Sequence, residues 1–199
     1  MERIVVAMTG ASGAVYGLRI VEELLRSERR VVLLLSGSGR DVLRYETGLE
    51  WEGTTSQRRQ LMRDYFDGSR LLEHYDEHDM FAPVASGSSA AEATIIAPCS
   101  MGTVGRIAGG MSGNLIERVA DVALKEGRPL LLVPRETPLN QIHLENLLRL
   151  SRAGARIVPA MPAFYHRPQS IVELVNFVVG KVLDNLGIPH QLFQRWDDR

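Results

Sequence analysis

The segment "VPRETP" (133–138) sets two residues side by side that could bind and protonate a phosphate. Arg135 could pair with a phosphate through two parallel hydrogen bonds, and Glu136 could transfer a proton if its surroundings tune its pKa. A second carboxylate, Glu46, lies much earlier in the chain. Taken alone, the first two residues are also compatible with a surface ion pair, and Glu46 with a solvated side chain. Their chemistry therefore depends on the elements that position them.

A glycine-rich segment, "GASGAVYG" (10–17), follows the first apolar run of the chain. Its glycines would let a ligand approach the backbone closely, and Ser12 could cap the next helix or donate to a ligand. The N-terminus of that helix favours an anion. The spacing is neither the dinucleotide fingerprint G-x-G-x-x-G nor a phosphate-binding P-loop. An ordinary turn between a strand and a helix is the alternative interpretation.

A second turn of small residues, "APCSMGT" (97–103), could act with the first. Its backbone amides and the hydroxyls of Ser100 and Thr103 could hold a phosphate or the polar edge of a ring. Two such turns at one edge of a sheet indicate a mononucleotide. Cys99 has no base near it in the sequence, so we expect a buried structural thiol rather than a nucleophile.

Two basic groups and a histidine pair have less specific patterns. Arg118 and Lys125 lie on one face of a predicted helix and are typical of a solvated stripe. The segment "PAFYHRPQS" (162–170) is stiff, aromatic and basic, which suits a phosphate or an aromatic ligand but also a plain loop. His74 and His78 are four residues apart, as metal ligands on a helix can be. No third ligand has a matching spacing, so we expect no metal site.

Short apolar strands alternate with amphipathic helices along the chain. We predict strands over 3–8, 30–36, 93–100, 129–136 and 155–160, and helices over 13–27, 38–48, 55–66, 114–128, 139–154 and 170–187. Residues 67–92 are expected to be mostly loop. This alternation predicts an α/β fold, a Rossmann-like three-layer sandwich whose mainly parallel sheet is covered on both faces.

The candidate residues share one edge of that predicted sheet. In such folds the ligand lies beyond the carboxyl ends of the strands. The segments that follow the five predicted strands are Gly10–Gly13, Ser36, Pro98–Thr103, Arg135 with Glu136, and Pro162–Arg167. One shared pocket is therefore the simplest hypothesis.

Composition limits the classes of function. The chain has 199 residues, of which 45% are hydrophobic, and a formal net charge of -1. These values suit one domain over 1–199 with a full core, and they give no support for non-specific binding to nucleic acid. The single cysteine excludes an intrachain disulfide. No secretory signal and no apolar stretch of about 20 residues is visible, so we expect a cytoplasmic protein that does not span a membrane.

Several segments, in order along nearly the whole chain, resemble the UbiX-type flavin prenyltransferases, formerly called 3-polyprenyl-4-hydroxybenzoate decarboxylases. They are "MTGASGAVYGLR", "ETG" at 46–48, "SGSSA", "PCSMGT", "NLIERVADVALKEGRPL", "VPRETP", "HLENLLRLSRAGA", "PAFYHRPQS" and the closing "RW". "VPRETP" and "PAFYHRPQS" are highly specific, whereas "GASGA" alone would be weak. The fold implied is of the flavoprotein (HFCD) type, shared with flavin-dependent cysteine decarboxylases.

The resemblance implies a metal-independent reaction between reduced FMN and dimethylallyl phosphate. The allyl group would be attached to N5 of the flavin, and a fourth ring would close on C6. The product, prenylated FMN, would serve a partner decarboxylase of the UbiD type, in ubiquinone biosynthesis or in the decarboxylation of aromatic acids. The resemblance also implies a homo-oligomer, a dodecamer, with its sites at subunit interfaces.

The resemblance further implies roles for individual residues. The implied FMN contacts are Gly10, Ala11, Ser12, Ser36, Ser100, Met101, Gly102, Thr103 and Arg135. The implied contacts of the allyl phosphate are Tyr165 and Lys181, with Arg118 and Lys125 reaching across an interface and Trp196 in an aromatic wall. The implied catalytic residues are Ser12, Glu46 and Glu136. Glu136 would protonate the departing phosphate, and Glu46 with Ser12 would manage protons on the flavin.

At three positions the chain departs from the pattern of the family that it resembles. Lys181 stands where some relatives carry Arg, which would make the phosphate contact less bidentate. Met101 and Gly102 stand where relatives often carry other residues, and this difference could alter contacts to the flavin edge.

An oxidative decarboxylase of peptidyl or pantothenoyl cysteine would need a histidine base, and none lies near Ser12 or Glu46 in the sequence. A non-catalytic FMN-binding protein would leave the allyl phosphate unchanged.

Overall fold

A six-stranded parallel sheet forms the centre of the fold in the computed structural model, which describes residues 3–195. Its strands are β1 (Arg3–Met8), β2 (Arg30–Leu35), β3 (Leu72–His74), β4 (Ala93–Cys99), β5 (Leu130–Pro134) and β6 (Arg156–Ile157). Their order across the sheet is β3-β2-β1-β4-β5-β6, and each neighbouring pair is parallel. All carboxyl ends therefore lie along one edge.

Helices cover both faces of this sheet. They are α1 (Ala14–Arg26), α2 (Gly37–Thr47), α3 (Thr55–Tyr65), α4 (Met101–Ala108), α5 (Leu115–Lys125), α6 (Gln141–Arg152) and α7 (Ile171–Asn185). Alternate residues of each strand face opposite layers. Ile4 and Val6 pack in a cluster with α1, α3 and α7, whereas Val5 and Ala7 pack in a second cluster with α4, α5 and α6. This arrangement is the predicted three-layer sandwich. No helix among residues 3–195 is long and apolar enough to cross a membrane.

Polar side chains start most of these helices. Ser36, Thr54, Ser100, Asn114, Asn140 and Ser170 each accept a hydrogen bond from the backbone amide three residues later. Such a bond satisfies one of the free amides of the first helical turn. α1 is the exception, because its N-cap is Gly13, which has no side chain to accept a bond. Another residue must therefore cap α1.

The predicted strands and helices are confirmed, with three corrections. Residues 67–92 contain the edge strand β3, which is three residues long, carries charge and lacks an apolar run. Residues 101–108 form the helix α4, although two glycines lower their helix propensity. The last predicted strand shrinks to Arg156–Ile157, although the amides of Val158 and Ala160 still donate to the carbonyl oxygens of Leu132 and Pro134 on β5.

The chain order creates a crevice between β1 and β4. From β1 the chain moves outward to β2 and β3, and it later returns to β4 and continues to β5 and β6 on the other side. The loops that leave β1 and β4 therefore diverge. In parallel α/β sheets, ligands bind at this switch of strand order.

Candidate active site

The loops that follow β1 and β4 are fastened to each other by one threonine. The hydroxyl of Thr9 donates to the carbonyl oxygen of Pro98 at 3.0 Å and accepts from the amide of Ser100 at 2.8 Å. The side chain of Thr9 is buried, so these bonds are shielded from water. They fix the two small-residue turns at the crevice. Thr9 is not among the residues predicted for the site, although it directly follows the buried strand β1.

The glycines of "GASGAVYG" are explained by contacts and backbone geometry within the protein. A Cβ on Gly10 would lie 2.5 Å from Oγ of Ser38, and a Cβ on Gly17 would lie 2.4 Å from the carbonyl oxygen of Ala97. Gly13 has a φ of 107°, in the left-handed region that glycine tolerates. These positions therefore need glycine for packing and turning before any ligand is considered.

Glu46 supplies the missing cap of α1. The amide of Gly13 donates to both carboxylate oxygens, at 3.0 and 2.9 Å, and the amide of Ala14 donates to Oε2 at 2.8 Å. We had expected a ligand anion at this N-terminus. The structure corrects this expectation, because the anion there is the protein's own carboxylate.

The surroundings of Glu46 keep it ionised. Burial alone would raise its pKa, but hydrogen bonds from the Ser12 side chain and from the amides of Ala14 and Gly13 outweigh that effect. The positive charge of Arg135 acts in the same direction, so the pKa of Glu46 falls below its usual value. At neutral pH this side chain is therefore a carboxylate.

Arg135 joins the same cluster from the end of β5. Its Nε donates to the carbonyl oxygen of Ser12 at 3.0 Å, which ties the loop after β5 to the loop after β1. Its two terminal nitrogens have no hydrogen-bond partner within residues 3–195. Ser12, Glu46 and Arg135 form what we call the switch-point cluster. Ser12 and Arg135, which the sequence places after two strands at one sheet edge, do meet in the structure, and Glu46 joins them from α2.

Glu136 lies next to this cluster on an exposed loop. Its carboxylate accepts a hydrogen bond from the amide of Thr137 at 3.1 Å. The side chain is exposed and lies one residue beyond Arg135. Glu136 is therefore accessible to a ligand at the carboxyl edge of the sheet.

Two further helix N-termini border the crevice, those of α2 and α4, and of these only the N-terminus of α2 is occupied by a carboxylate. At α2, Ser36 Oγ accepts from the amide of Gly39 at 3.0 Å, and Glu77 accepts from the amide of Gly37 at 2.7 Å. At α4, Ser100 Oγ accepts from the amide of Thr103 at 3.2 Å.

The N-terminus of α4 keeps open donors. Within residues 3–195, the amides of Met101 and Gly102 have no hydrogen-bond partner, and Gly102 is exposed. Gly10 and the buried Ala11 border the crevice with backbone and small side chains. Open amides and the free end of Arg135 match the acceptor atoms of a flavin edge and a phosphate. The residues present therefore fit FMN.

The predicted phosphate residues Tyr165 and Lys181 meet at one aromatic ring. The ring of Tyr165 stands edge-on to Phe177, with centroids 5.8 Å apart, and Nζ of Lys181 lies 5.6 Å from the Phe177 centroid. Lys181 also lies 5.0 Å from the ring of Phe193 and 3.7 Å from Oδ2 of Asp184. The sequence offered no signal for Phe177, because it reads as an ordinary core residue of α7.

Arg118 and Lys125 are not brought to this site within one protomer. Arg118 donates to the carbonyl oxygen of Ala85 at 2.9 Å and pairs with Asp121, and Lys125 pairs with Glu126. α5 leads into a parallel strand, so its last residue, Lys125, lies at the amino-terminal edge of the sheet, opposite the crevice. Trp196, the remaining predicted residue, lies outside the described residues.

The cysteine and the histidine pair behave as structural groups. Burial raises the pKa of Cys99 to about 12, so its thiol is inert, as expected. His74 lies in β3 rather than on a helix, and its ring nitrogens bond to the carbonyl of Leu33 at 2.8 Å and to Nε of Arg58 at 3.3 Å. The helical ligand spacing that we considered for His74 and His78 does not exist.

Comparisons with known proteins agree along the whole chain. A family model described as "Flavoprotein" matches residues 1–183. The flavin prenyltransferase UbiX of Alkalihalophilus pseudofirmus is 50% identical, covering 97% of this chain and 95% of its own length. A crystal structure of AnUbiX (PadA1) in complex with FMN and dimethylallyl pyrophosphate has a TM-score of 0.87 at 42% identity, covering 98% of this chain and 97% of that one. A dodecameric FMN-dependent Ubix-like decarboxylase from Escherichia coli O157:H7 has a TM-score of 0.85 at 38% identity and covers 98% of both chains.

Proposed function

The chain belongs to the Flavoprotein family and, within it, to the UbiX-type flavin prenyltransferases, and from this premise we propose that it transfers the dimethylallyl group of dimethylallyl phosphate to N5 and C6 of reduced FMN. The observation that supports this most directly is the switch-point cluster of Ser12, Glu46 and Arg135. A carboxylate, a hydroxyl and a guanidinium whose terminal nitrogens have no hydrogen-bond partner within residues 3–195 meet there beside the open amides of α4. All 199 residues would form this one domain.

The residues around the crevice would hold FMN. They are Gly10, Ala11, Ser12, Ser36, Ser100, Met101, Gly102, Thr103 and Arg135. When bound, reduced FMN supplies the nucleophilic ring positions that accept the allyl group. The free nitrogens of Arg135 would pair with an anionic oxygen, and the amides of Met101 and Gly102 would donate to acceptors at the same edge.

Fixed charges would bind the phosphate of the allyl donor. Lys181 supplies an ammonium and Tyr165 a hydroxyl, both held against Phe177. Cleavage of the allylic C–O bond separates an allyl cation from a phosphate, so the enzyme must stabilise both charges. Trp196 would offer an aromatic face to the cation. Closure of the pocket would keep water from trapping the cation.

Two carboxylates would divide the proton chemistry. Glu136, exposed at the carboxyl edge, would give a proton to the departing phosphate. Glu46, whose pKa is lowered, would accept a proton during ring closure, with Ser12 as the hydroxyl between it and the ligand.

A neighbouring subunit would complete the site. Lys125 lies at the edge of the sheet opposite the crevice of its own protomer, and Arg118 is bonded to Ala85 and Asp121, so both would act on the phosphate of another copy. The exposed apolar side chains of α6, Ile142, Leu144 and Leu148, would be covered in such an assembly. A dodecamer, as in the relative from Escherichia coli, is the assembly that we propose.

The product would pass to another enzyme. Prenylated FMN would serve a UbiD-type decarboxylase in the cytoplasm, in ubiquinone biosynthesis or in the decarboxylation of aromatic acids. Its detection in cells expressing this chain with such a decarboxylase would support that assignment.

The test is anaerobic incubation with reduced FMN and dimethylallyl phosphate, followed by mass spectrometry of the flavin. We expect FMN to gain one five-carbon unit. Oxidised FMN in place of reduced FMN is the control and should stay unmodified. An unchanged flavin mass together with tight FMN binding would instead indicate a non-catalytic flavin-binding protein.

A further inference from the structure

His166 has an unusual environment next to the proposed phosphate residues. Both of its ring nitrogens are buried and have no hydrogen-bond partner, and no other buried side-chain nitrogen or oxygen within residues 3–195 shares that condition. An unsatisfied buried polar atom destabilises the folded state, so native proteins seldom keep one without a function. The two unsatisfied nitrogens therefore indicate that a ligand supplies the hydrogen bond that this ring lacks.

The imidazole is held by stacking rather than by polar contacts. It lies flat on Phe177, with centroids 5.5 Å apart and an angle of 9° between the planes. Its other neighbour is Tyr165, edge-on at 5.5 Å and 79°. The ring of Phe177 therefore contacts three side chains, those of Tyr165, His166 and Lys181. Two of these three side chains are already proposed to bind the phosphate.

A cavity opens beside the ring. It has a volume of about 280 Å³ and is lined by Tyr165, His166, Arg167 and Gln194. Arg167 follows β6 at the carboxyl edge of the sheet, and its guanidinium makes no hydrogen bond or ion pair within residues 3–195. Its φ of 54° lies in the left-handed region, which non-glycine residues seldom adopt. A free cation at the wall of this cavity favours an anionic ligand.

We propose that His166 is a substrate-binding residue, whose imidazole donates an N–H hydrogen bond to a phosphate oxygen of the allyl donor in this cavity. The inference rests on the proposed function and adds a residue to its phosphate site. In the structure both nitrogens are enclosed, so the ring turns about its Cβ–Cγ bond when the phosphate enters. This torsion has broad wells in histidine, and the turn exchanges an unsatisfied N–H for a charge-assisted bond.

The first test compares the wild type with His166→Phe. Phenylalanine keeps a flat ring on Phe177 and removes both unsatisfied nitrogens, so the melting temperature should rise or stay constant. The KM for dimethylallyl phosphate should nevertheless rise about ten- to hundredfold, because a hydrogen bond to a charged group is lost. Affinity for FMN, measured by flavin fluorescence, should not change. A packing role alone would leave the KM unchanged, and that result would overturn the inference.

Two further variants separate packing from hydrogen bonding. His166→Asn keeps an N–H donor but loses the stacked ring, and we expect its affinity for dimethylallyl phosphate to stay within about threefold of the wild type. A loss in this variant as large as in His166→Phe would assign the effect to the ring and contradict the proposal. His78→Phe, at an exposed histidine outside the site, is the matched control and should bind both ligands normally.

Calorimetry makes the result independent of turnover. Dimethylallyl phosphate and, separately, inorganic phosphate are titrated into the FMN-loaded wild type and each variant. If the wild type fails to prenylate FMN but phosphate binding still weakens in His166→Phe, the proposed function fails and the role of His166 stands. Equal phosphate affinity in the wild type and His166→Phe refutes the role of His166, whatever the enzyme activity.

Discussion

The cap on α1 places structural and chemical demands on the same side chain. Glu46 accepts amide hydrogen bonds on both oxygens, so a neutral amide at this position can satisfy only part of the set. Glu46→Gln should lower the free energy of unfolding by about 1 kcal/mol. Prenyl transfer should fall by roughly a hundredfold, because the proposed proton acceptor is lost. Urea unfolding and single-turnover kinetics measure the two effects separately.

The pH dependence of stability provides the control for Glu46. Its pKa is lower in the folded protein than in the unfolded chain, so the unfolded state binds the proton first as the pH falls. The stabilisation by this group is therefore fully present above about pH 4.5 and is lost as the pH falls through the folded pKa. The stability gap between the wild type and Glu46→Gln should shrink below about pH 4.5. A gap that stays constant down to acid unfolding would contradict the capping role of the charge.

Cys99 gives a second test at the scale of one residue. It is the only cysteine, it is fully buried, and burial raises its pKa to about 12. The native protein should therefore resist iodoacetamide at pH 8, whereas the urea-unfolded chain should gain one adduct. Mass spectrometry after timed exposure distinguishes the two states. Rapid labelling of the native protein would indicate an accessible thiolate.

At the scale of elements, the edge strand β3 depends on a buried histidine. Burial lowers the pKa of His74 to about 4, and the nearby charge of Arg58 acts in the same direction. The ring is neutral, bonded to β2 through Leu33 and to α3 through Arg58, which also pairs with Asp76 at 2.5 Å. His74 thus joins the edge of the sheet to a helix that has few apolar residues.

His74 should make stability fall in mildly acid solution. The unfolded chain binds this proton near pH 6.5, whereas the folded protein resists it until about pH 4, so stability is lost as the pH falls between those values. Between pH 7.5 and 5 the loss from this group should be about 2 kcal/mol. Urea unfolding of the wild type and of His74→Asn over this range isolates the effect. Equal slopes for the two proteins would show that His74 does not cause it.

The contact between α7 and residues 188–195 depends on a glycine in the middle of a helix. A Cβ on Gly180 would lie 2.5 Å from Cε1 of Phe193 and 2.6 Å from Cε1 of His190. Helix propensity alone would make Gly180→Ala stabilising by about 1 kcal/mol. The collision should reverse that sign and destabilise by about 1–3 kcal/mol. Faster hydrogen exchange in residues 188–195 should accompany the lower melting temperature.

A second helical glycine provides the matched control. Gly105 lies inside α4, and a Cβ there would meet Nδ2 of Asn146 at an ordinary 3.5 Å. Gly105→Ala should be neutral or stabilising by up to about 1 kcal/mol. Similar destabilisation by both substitutions would mean that the Gly180 contact is not specific.

Hydrophobic periodicity predicted the elements that bury a continuous apolar face, such as β1, α1, α5 and α7. It failed where another force holds the element. β3 is fastened by the polar contacts of His74, and α4 is held by the cap at Ser100 despite its two glycines. The positions after two strands predicted that Ser12 and Arg135 could meet, whereas only the family resemblance associated Glu46 with them. Which acid would cap which helix was not predictable, since the cap joins residues 33 positions apart.

At the scale of the whole molecule, the two ends of the proposed phosphate site lie on opposite edges of one sheet. The crevice, with Arg135 and Glu136, is at the carboxyl edge, whereas Lys125 ends α5 at the amino-terminal edge. A rigid parallel sheet cannot fold these edges onto each other. If both act on one phosphate, they come from two copies of the chain.

Subunit mixing tests this arrangement. Lys125→Ala and Glu136→Gln should each be nearly inactive alone, because each lacks one group of every site. If the sites combine Glu136 of one copy with Lys125 of another, co-refolded mixtures contain some sites with both native groups. With equal amounts and random assembly, about a quarter of the sites should be native, and activity should recover to about that fraction of the wild type. Mixtures that stay as inactive as the separate variants would place Lys125 and Glu136 in the site of a single protomer. Mixing either variant with itself is the control for refolding.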